Sequence, residues 1–255
     1  MSKDSASRFD GNADRYLKSE IHRDSPTIRR LHQFVEPRAS WAVCDVACGV
    51  GYLGLSFAGS VARIVGVDPA PKMLEAFAAQ ARERGVAVEC VSSYAESIAL
   101  PDASFDLAMA RLAPHHFADV PAAMREMARI VKPGGFVAVI DIVGEEDPEV
   151  DALNHRLELL HDPTHVRSYR AGEWRRFLES AGLVVEVLEL SCERPQGVSI
   201  ATWCLTTKPG PENERAICAE LAAAPASSLR ALGIRSEAGE YFVTSRSLLA
   251  VARKP

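Results

Sequence analysis

From residue 41 onward, short apolar runs alternate with amphipathic helical stretches, and few folds accept that rhythm. WAVCDV (41–46), ARIVGVD (62–68), VAVECV (86–91), FDLAMA (105–110) and FVAVIDIV (136–143) are near-continuous apolar segments. Such runs suit strands buried on both faces of a parallel sheet. Between them, PKMLEAFAAQARERG puts Leu74, Phe77, Ala78 and Ala81 on one helical face, with Pro71 near its start and Gly85 just past its end. In DVPAAMREMARIVKPGG, Val120, Met124, Met127 and Val131 share a stripe, Asp119 is the expected N-cap, and KPGG is the expected stop. The spacing predicts an α/β protein with a doubly wound, Rossmann-like sheet, whose ligands sit at the carboxyl ends of the strands.

After residue 145 the rhythm changes. Val150, Leu153, Leu157 and Leu160 mark one helix, and Trp174, Phe177, Leu178 and Ala181 another, ended by Gly182. LVVEVLEL (183–190) alternates and reads as a strand, and EYFVTSRSLLAVA (240–252) reads as a final strand. Residues 192–238 read as loop-rich with one helix near 211–223, and LAAAPASSL (221–229) reads as a loop. There is no internal repeat.

Composition narrows the function classes. The 255 residues carry a net charge of −5 and no basic block, which does not favour nucleic acid or an anionic membrane as partner. The first 25 residues are polar and of mixed charge, and no apolar run reaches roughly 18 residues, so neither a signal peptide nor a membrane span is expected. A cytoplasmic protein is the expectation. The six cysteines form no CxxC pair and read as reduced, mostly buried thiols.

DVACGVGYLG (45–54) follows the first strand and holds a Gly-x-Gly-x-x-Gly at Gly49, Gly51 and Gly54. Glycines there let the backbone turn sharply and approach a nucleotide. Asp68 closes the next strand, 19 residues after Gly49, where a carboxylate accepts ribose hydroxyls. These four residues fit a nicotinamide dinucleotide site as well as another nucleoside site. Asp45 separates the two. A dinucleotide places a pyrophosphate near the helix N-terminus, and a carboxylate at the strand end repels it. The same carboxylate suits S-adenosylmethionine, which brings a sulfonium and an ammonium.

VCDVACGVG, VGVDPAPKMLEAF, LPDASFDLAMARLAPHHF and EMARIVKPGGFVAVID resemble, in order, the successive motifs of class I S-adenosylmethionine-dependent methyltransferases. The likeness is strongest to the ubiquinone/menaquinone-biosynthesis-like small-molecule branch and covers residues ~40–190. It implies a seven-stranded sheet with helical cap segments in a single domain over 1–255. The N-terminal cap would be 1–40 and the cofactor core 41–145. Acceptor-side segments would fall at 146–182 and 192–238, and the last strands at 183–191 and 240–252. It further implies that Asp45, Ala47 and Gly49 hold the methionine part, that Gly51 belongs to the cofactor-binding loop, that Asp68 takes the ribose, and that Pro69 and Met73 flank the adenine. Tyr94, Ala95 and Glu96 stand at the family's adenine contact, with Tyr94 replacing the usual acid. Arg111 would line the cofactor, and Tyr16, Ser19 and His22 would close over its methionine end.

Methyl transfer is an in-line displacement, and the protein chiefly aligns nucleophile and methyl. A base is needed where the acceptor must lose a proton, as a phenol or carbon acid does. Histidines near neutrality are the candidates. His115 and His116 follow the fourth strand, where the methyl is expected; as adjacent residues, only one of them should face the cleft. His161 and His165, in HDPTH, are the others, and Asp141 at the fifth strand's end is a weaker candidate. The proline between His161 and His165 argues against a helical metal pair, so no metal is expected. The reading is methyl transfer to carbon or oxygen of a small phenolic or quinol-like acceptor, by a monomer or homodimer. A binding protein repurposed from the same fold, and an NAD(P)-dependent oxidoreductase, are the alternatives.

Overall fold

Pairing register turns the apolar runs into one sheet. The computed structural model describes residues 3–19, 23, 25–192 and 194–255; His22 lies outside them. The strands are β1 (Ala42–Val46), β2 (Arg63–Val67), β3 (Glu89–Val91), β4 (Phe105–Arg111), β5 (Val131–Ile142), β6 (Val184–Cys192), β7 (Val198–Ser199), β8 (Ile234–Glu237), β9 (Glu240–Val243) and β10 (Arg246–Arg253). Seven of them form the main sheet in the order β3-β2-β1-β4-β5-β10-β6. β1 to β5 run parallel, and β10 pairs antiparallel with both β5 and β6. Chain order reverses between β1 and β4, so their carboxyl ends diverge into a crevice.

The described helices are α1 (Lys3–Asp10), α2 (Ala13–Leu17), α3 (Pro26–Val35), α4 (Tyr52–Leu55), α5 (Pro71–Glu83), α6 (Val120–Ile130), α7 (Pro148–His161), α8 (Ala171–Ser180), α9 (Ile200–Thr207), α10 (Pro211–Ala223) and α11 (Ala226–Ala231). Alternate strand residues feed two cores. Val43, Leu107 and Met109 pack with Leu31 of α3 and Phe77 of α5. Cys44, Ala108 and Ala110 pack on the other face with Met127 of α6 and Trp174 of α8. Trp174, fully buried, meets Tyr169 and Phe177 edge-on at 5.7 and 5.8 Å. A side chain of that kind contributes roughly 1.5–3 kcal/mol by burial alone. Asp119 caps α6 as expected, accepting from Ala122 N at 2.9 Å.

Five readings of the sequence change. EYFVTSRSLLAVA is two strands, broken where Ser245 takes a φ of +52°. β9 joins β7 and β8 in a small antiparallel sheet, while β10 enters the main one. The 192–238 stretch holds α9, α10 and α11, so 226–231 is helix and not loop. With the small sheet and α7 they bury a third core around Leu153, Leu157, Trp203 and Ile217. β3 is shorter than expected, because Val86 and Val88 pack on the core beside α5 instead of extending the edge. β5 starts at Val131, ahead of KPGG, with a register irregularity opposite Phe105–Leu107. The cysteines are all free, but only Cys44, Cys48 and Cys204 are buried. Among the described residues, no helix is long and apolar enough to cross a membrane.

Candidate active site

A cavity opens at the carboxyl ends of β1, β2, β4 and β5, and α1, α2, α7 and α9 close its far side. At its floor the chain turns from β1 into α4. Ala47, Gly49 and Gly51 carry φ of +54°, +52° and +89°. Gly51 cannot be replaced cheaply, since a Cβ there would sit 1.9 Å from Phe77. Gly54 lets α4 come down on Asp45. Its amide donates to Asp45 Oδ2 at 2.7 Å, and a Cβ would lie 3.1 Å from that oxygen.

Asp68 knits the same turn to β2. Its Oδ2 accepts from Gly49 N and its Oδ1 from Ala70 N, both at 2.9 Å. Both carboxyls are buried. Burial raises Asp45 to about 7 against the pull of the Gly54 amide, with Asp68 adding to the rise and Arg111 opposing it. Burial likewise raises Asp68 to about 6, against the Ala70 and Gly49 amides. Two raised carboxyls in one cavity favour a ligand that brings positive charge and hydroxyl donors. They disfavour a pyrophosphate. That donor set fits S-adenosylmethionine and not a dinucleotide.

Above β4, Leu112 has a φ of +48° and Pro114–His116 form one 3-10 turn. That turn brings both histidines onto the cavity wall, with ring centroids 4.1 Å apart. Only extended backbone would have sent them apart. His115 Nδ1 lies 2.6 Å from Oδ1 of the fully buried Asp141. Burial alone would lower His115, but the Asp141 carboxylate outweighs it and the net shift is upward. His116 Nδ1 donates to the Thr164 carbonyl at 2.9 Å, and its ring edge meets Phe9. Burial and the neighbouring His115 charge push it well below the usual range.

α7 ends at His161, so His165 lies beyond the helix and the two do not share a helical face. His161 stacks on Trp203 at 3.9 Å, and its Nε2 faces the Trp203 carbonyl at 3.1 Å. Among the described residues no group of three histidine, cysteine or acidic side chains has metal-ligating geometry.

The cavity wall thus gathers Tyr16, Asp45, Ala47, Gly49, Asp68, Met73, Arg111, His115, His116, His161 and His165. Pro69, Tyr94, Ala95, Glu96, Ser19 and Gly51 do not line it. Ala95 packs in the core, Glu96 accepts from Ala118 N at 2.9 Å, and Ser19 Oγ lies 3.4 Å from Thr206 Oγ1. Sequence reasoning missed Phe9, Glu158, Asp162, Arg194, Trp203 and Thr206. Arg8, on α1, reaches Asp162 at 3.3 Å and the Thr207 carbonyl at 2.8 Å, tying the N-terminal helix to α7 and α9.

Comparison with known proteins agrees with this geometry. Residues 44–139 match a family model described as a methyltransferase domain. The chain is 34% identical over 182 residues to the uncharacterized methyltransferase YcgJ of Bacillus subtilis (strain 168), covering 71% of this chain and 72% of that protein. The YcgJ crystal structure superposes with a TM-score of 0.81 at 28% identity, over 90% of this chain and 98% of that one. A crystal structure of a putative methyltransferase from Bacillus halodurans C-125 gives 0.84 at 26% identity, over 89% and 98%. The ubiquinone biosynthesis O-methyltransferase of Methylobacterium sp. (strain 4-46) is 34% identical over 163 residues, 59% of this chain and 62% of that protein.

Proposed function

Because this chain belongs to the class I S-adenosylmethionine-dependent methyltransferases, we propose that it methylates a carbon or oxygen of a small phenolic or quinol-like metabolite, with His115 as the base. The observation that carries this reading is the 2.6 Å contact between Nδ1 of His115, in the turn after β4, and buried Asp141, at the end of β5. A carboxylate on one ring nitrogen fixes the tautomer, so the other nitrogen presents its lone pair. His116 is the poorer base: Nδ1 is spent on Thr164, and burial lowers its proton affinity.

Bound at this site, S-adenosylmethionine supplies a methyl group on a positive sulfur, which leaves as the neutral thioether. The chain's own residues do the rest. Asp45 would hold the ammonium and Asp68 the ribose hydroxyls, and Met73 lines the same cavity wall. Arg111, also on the wall, moderates the charge on Asp45. Tyr16 and Phe9, from the N-terminal helices, help to exclude water. His115 takes the acceptor's proton as the new bond forms, and Asp141 stabilises the resulting imidazolium. The aromatic and apolar walls at Phe9, Ile142 and Trp203 suit a ring-bearing acceptor.

The test is methyl transfer from methyl-labelled S-adenosylmethionine into a fractionated metabolite extract. Label entering one small molecule supports the reading and yields the acceptor. Label that enters only protein or nucleic acid refutes it.

A further inference from the structure

The wall that bears the His115–Asp141 pair holds one more imidazole whose surroundings call for a ligand. His165 is 5% exposed and lines the cavity, yet neither ring nitrogen has a hydrogen-bond partner among the described residues. Its nearest rings are other imidazoles: His115 at 5.5 Å, His155 at 5.6 Å and His116 at 6.4 Å. The backbone around it is clamped. His165 N donates to the Asp162 carbonyl at 3.0 Å, and Val166 N donates to the His115 carbonyl at 2.8 Å. Thr164, just before it, takes the His116 hydrogen bond at 2.9 Å. The ring is therefore held in place against the 3-10 turn while its own polar atoms go unused.

Folded proteins pair the large majority of buried polar side-chain atoms, so an imidazole with two unpaired nitrogens is costly unless a ligand meets them. Burial, reinforced by the charge of His115, pulls His165 down to about 3. It is neutral near pH 7 and offers one N–H donor and one acceptor lone pair. The carboxylates of Glu158 and Asp162 line the same wall. Asp162 is already paired with Arg8, so an anionic group at this point would face the Glu158 carboxylate with no charge on the ring to attract it.

We propose that His165 is a specificity residue for the methyl acceptor, hydrogen-bonding a neutral hydroxyl, carbonyl or amide carried beside the atom that is methylated. It rests on the reading of His115 as the base and adds a second polar function to the acceptor. A wall built to bond such a group rejects analogues with hydrocarbon in its place, because the ring nitrogens then stay unpaired.

The experiment compares His165→Leu, His165→Asn and His165→Gln with the wild-type chain. In His165→Leu the melting midpoint of the ligand-free protein should rise by about 2–4 °C, since unpaired polar atoms are removed. For the acceptor found by label transfer, kcat/KM should fall at least about 100-fold, chiefly through KM. Affinity for S-adenosylmethionine should stay within about twofold, and Asn or Gln should restore part of the loss. A lower midpoint with unchanged KM would show a ring that merely packs and would overturn the proposal. A loss confined to kcat would overturn it too. If the wild type labels no metabolite, the methyl-transfer reading fails by itself; a fall in the His165→Leu midpoint would then sink this proposal independently.

Discussion

Cofactor affinity should depend on pH through Asp45. Free of ligand, Asp45 sits at about 7 and Asp68 at about 6, both raised chiefly by burial. The ammonium and sulfonium of the cofactor favour the ionised carboxylates, so binding must drive the protons off. Between pH 7.5 and 6.0 the ionised fraction of Asp45 falls from about three quarters to about one tenth, and that of Asp68 from nearly all to about half. Affinity should therefore weaken roughly 15-fold over that interval, about 1.6 kcal/mol at 1.36 kcal/mol per tenfold. Up to pH 7.5 the cofactor's own amino group stays mostly charged, since such groups titrate near ~7.7–8.0. Titration calorimetry at pH 6.5, in two buffers of different ionisation enthalpy, should report release of about one proton. Asp45→Asn should bind more weakly and lose most of the pH slope. The sign for folding runs the other way. A carboxyl raised in the native state holds its proton between ~3.9, its unfolded value, and about 7, so the stability it contributes is lost as pH rises across that window. Affinity that stays flat from pH 6.0 to 7.5 with no proton released, or an unchanged slope in Asp45→Asn, would refute the assignment.

Four further outcomes follow from the same geometry. Asp68→Ala should weaken cofactor binding by about 2 kcal/mol or more, roughly 30-fold in Kd, because it removes the expected ribose contact and frees the Gly49 and Ala70 amides; calorimetry checks it. His115→Gln should lower kcat by about 100-fold or more with little change in cofactor Kd. The acid limb of the rate profile, set by a His115 raised above its ordinary value, should move to lower pH in Asp141→Asn as the carboxylate's charge is lost; steady-state rates across pH decide both. Gly51→Ala should destabilise the fold by roughly 2–4 kcal/mol in urea unfolding, since a side chain there needs a positive φ and strikes Phe77.

The cofactor half of the cavity was legible because its determinants are local. A both-face-buried strand, a glycine turn and an acid at the next strand's end lie within 24 residues, from Asp45 to Asp68. Their order in sequence is their order in space. Beyond that turn the expectation departs from the structure, since Ser19, Gly51, Pro69, Tyr94, Ala95 and Glu96 do not line the cavity. Tyr94 to Glu96 and Pro69 belong to loops beside the cavity, and the glycine pattern alone could not say that the wall turns past them. Both His115 and His116 reach the cavity because a 3-10 turn, and not extended chain, follows β4. Pro114 signals a turn but not which one.

The acceptor half resisted for a different reason. Asp162 is drawn to Arg8, Thr206 lies beside Ser19, and His116 is held by Thr164. Each pair joins segments that no local pattern connects. The small sheet is harder still, because EYFVTSRSLLAVA reads as one strand-like segment across a point where the chain leaves one sheet for another. That division has a functional consequence. The residues proposed to hold the cofactor sit on β1, β2 and one turn, whose packing involves Phe77 and the main core. The acceptor-side wall rests on α7, α9 and a separate core around Trp203. Substitutions at Trp203 or Glu158 can therefore reshape acceptor choice while leaving Asp45, Gly49 and Asp68 where they are.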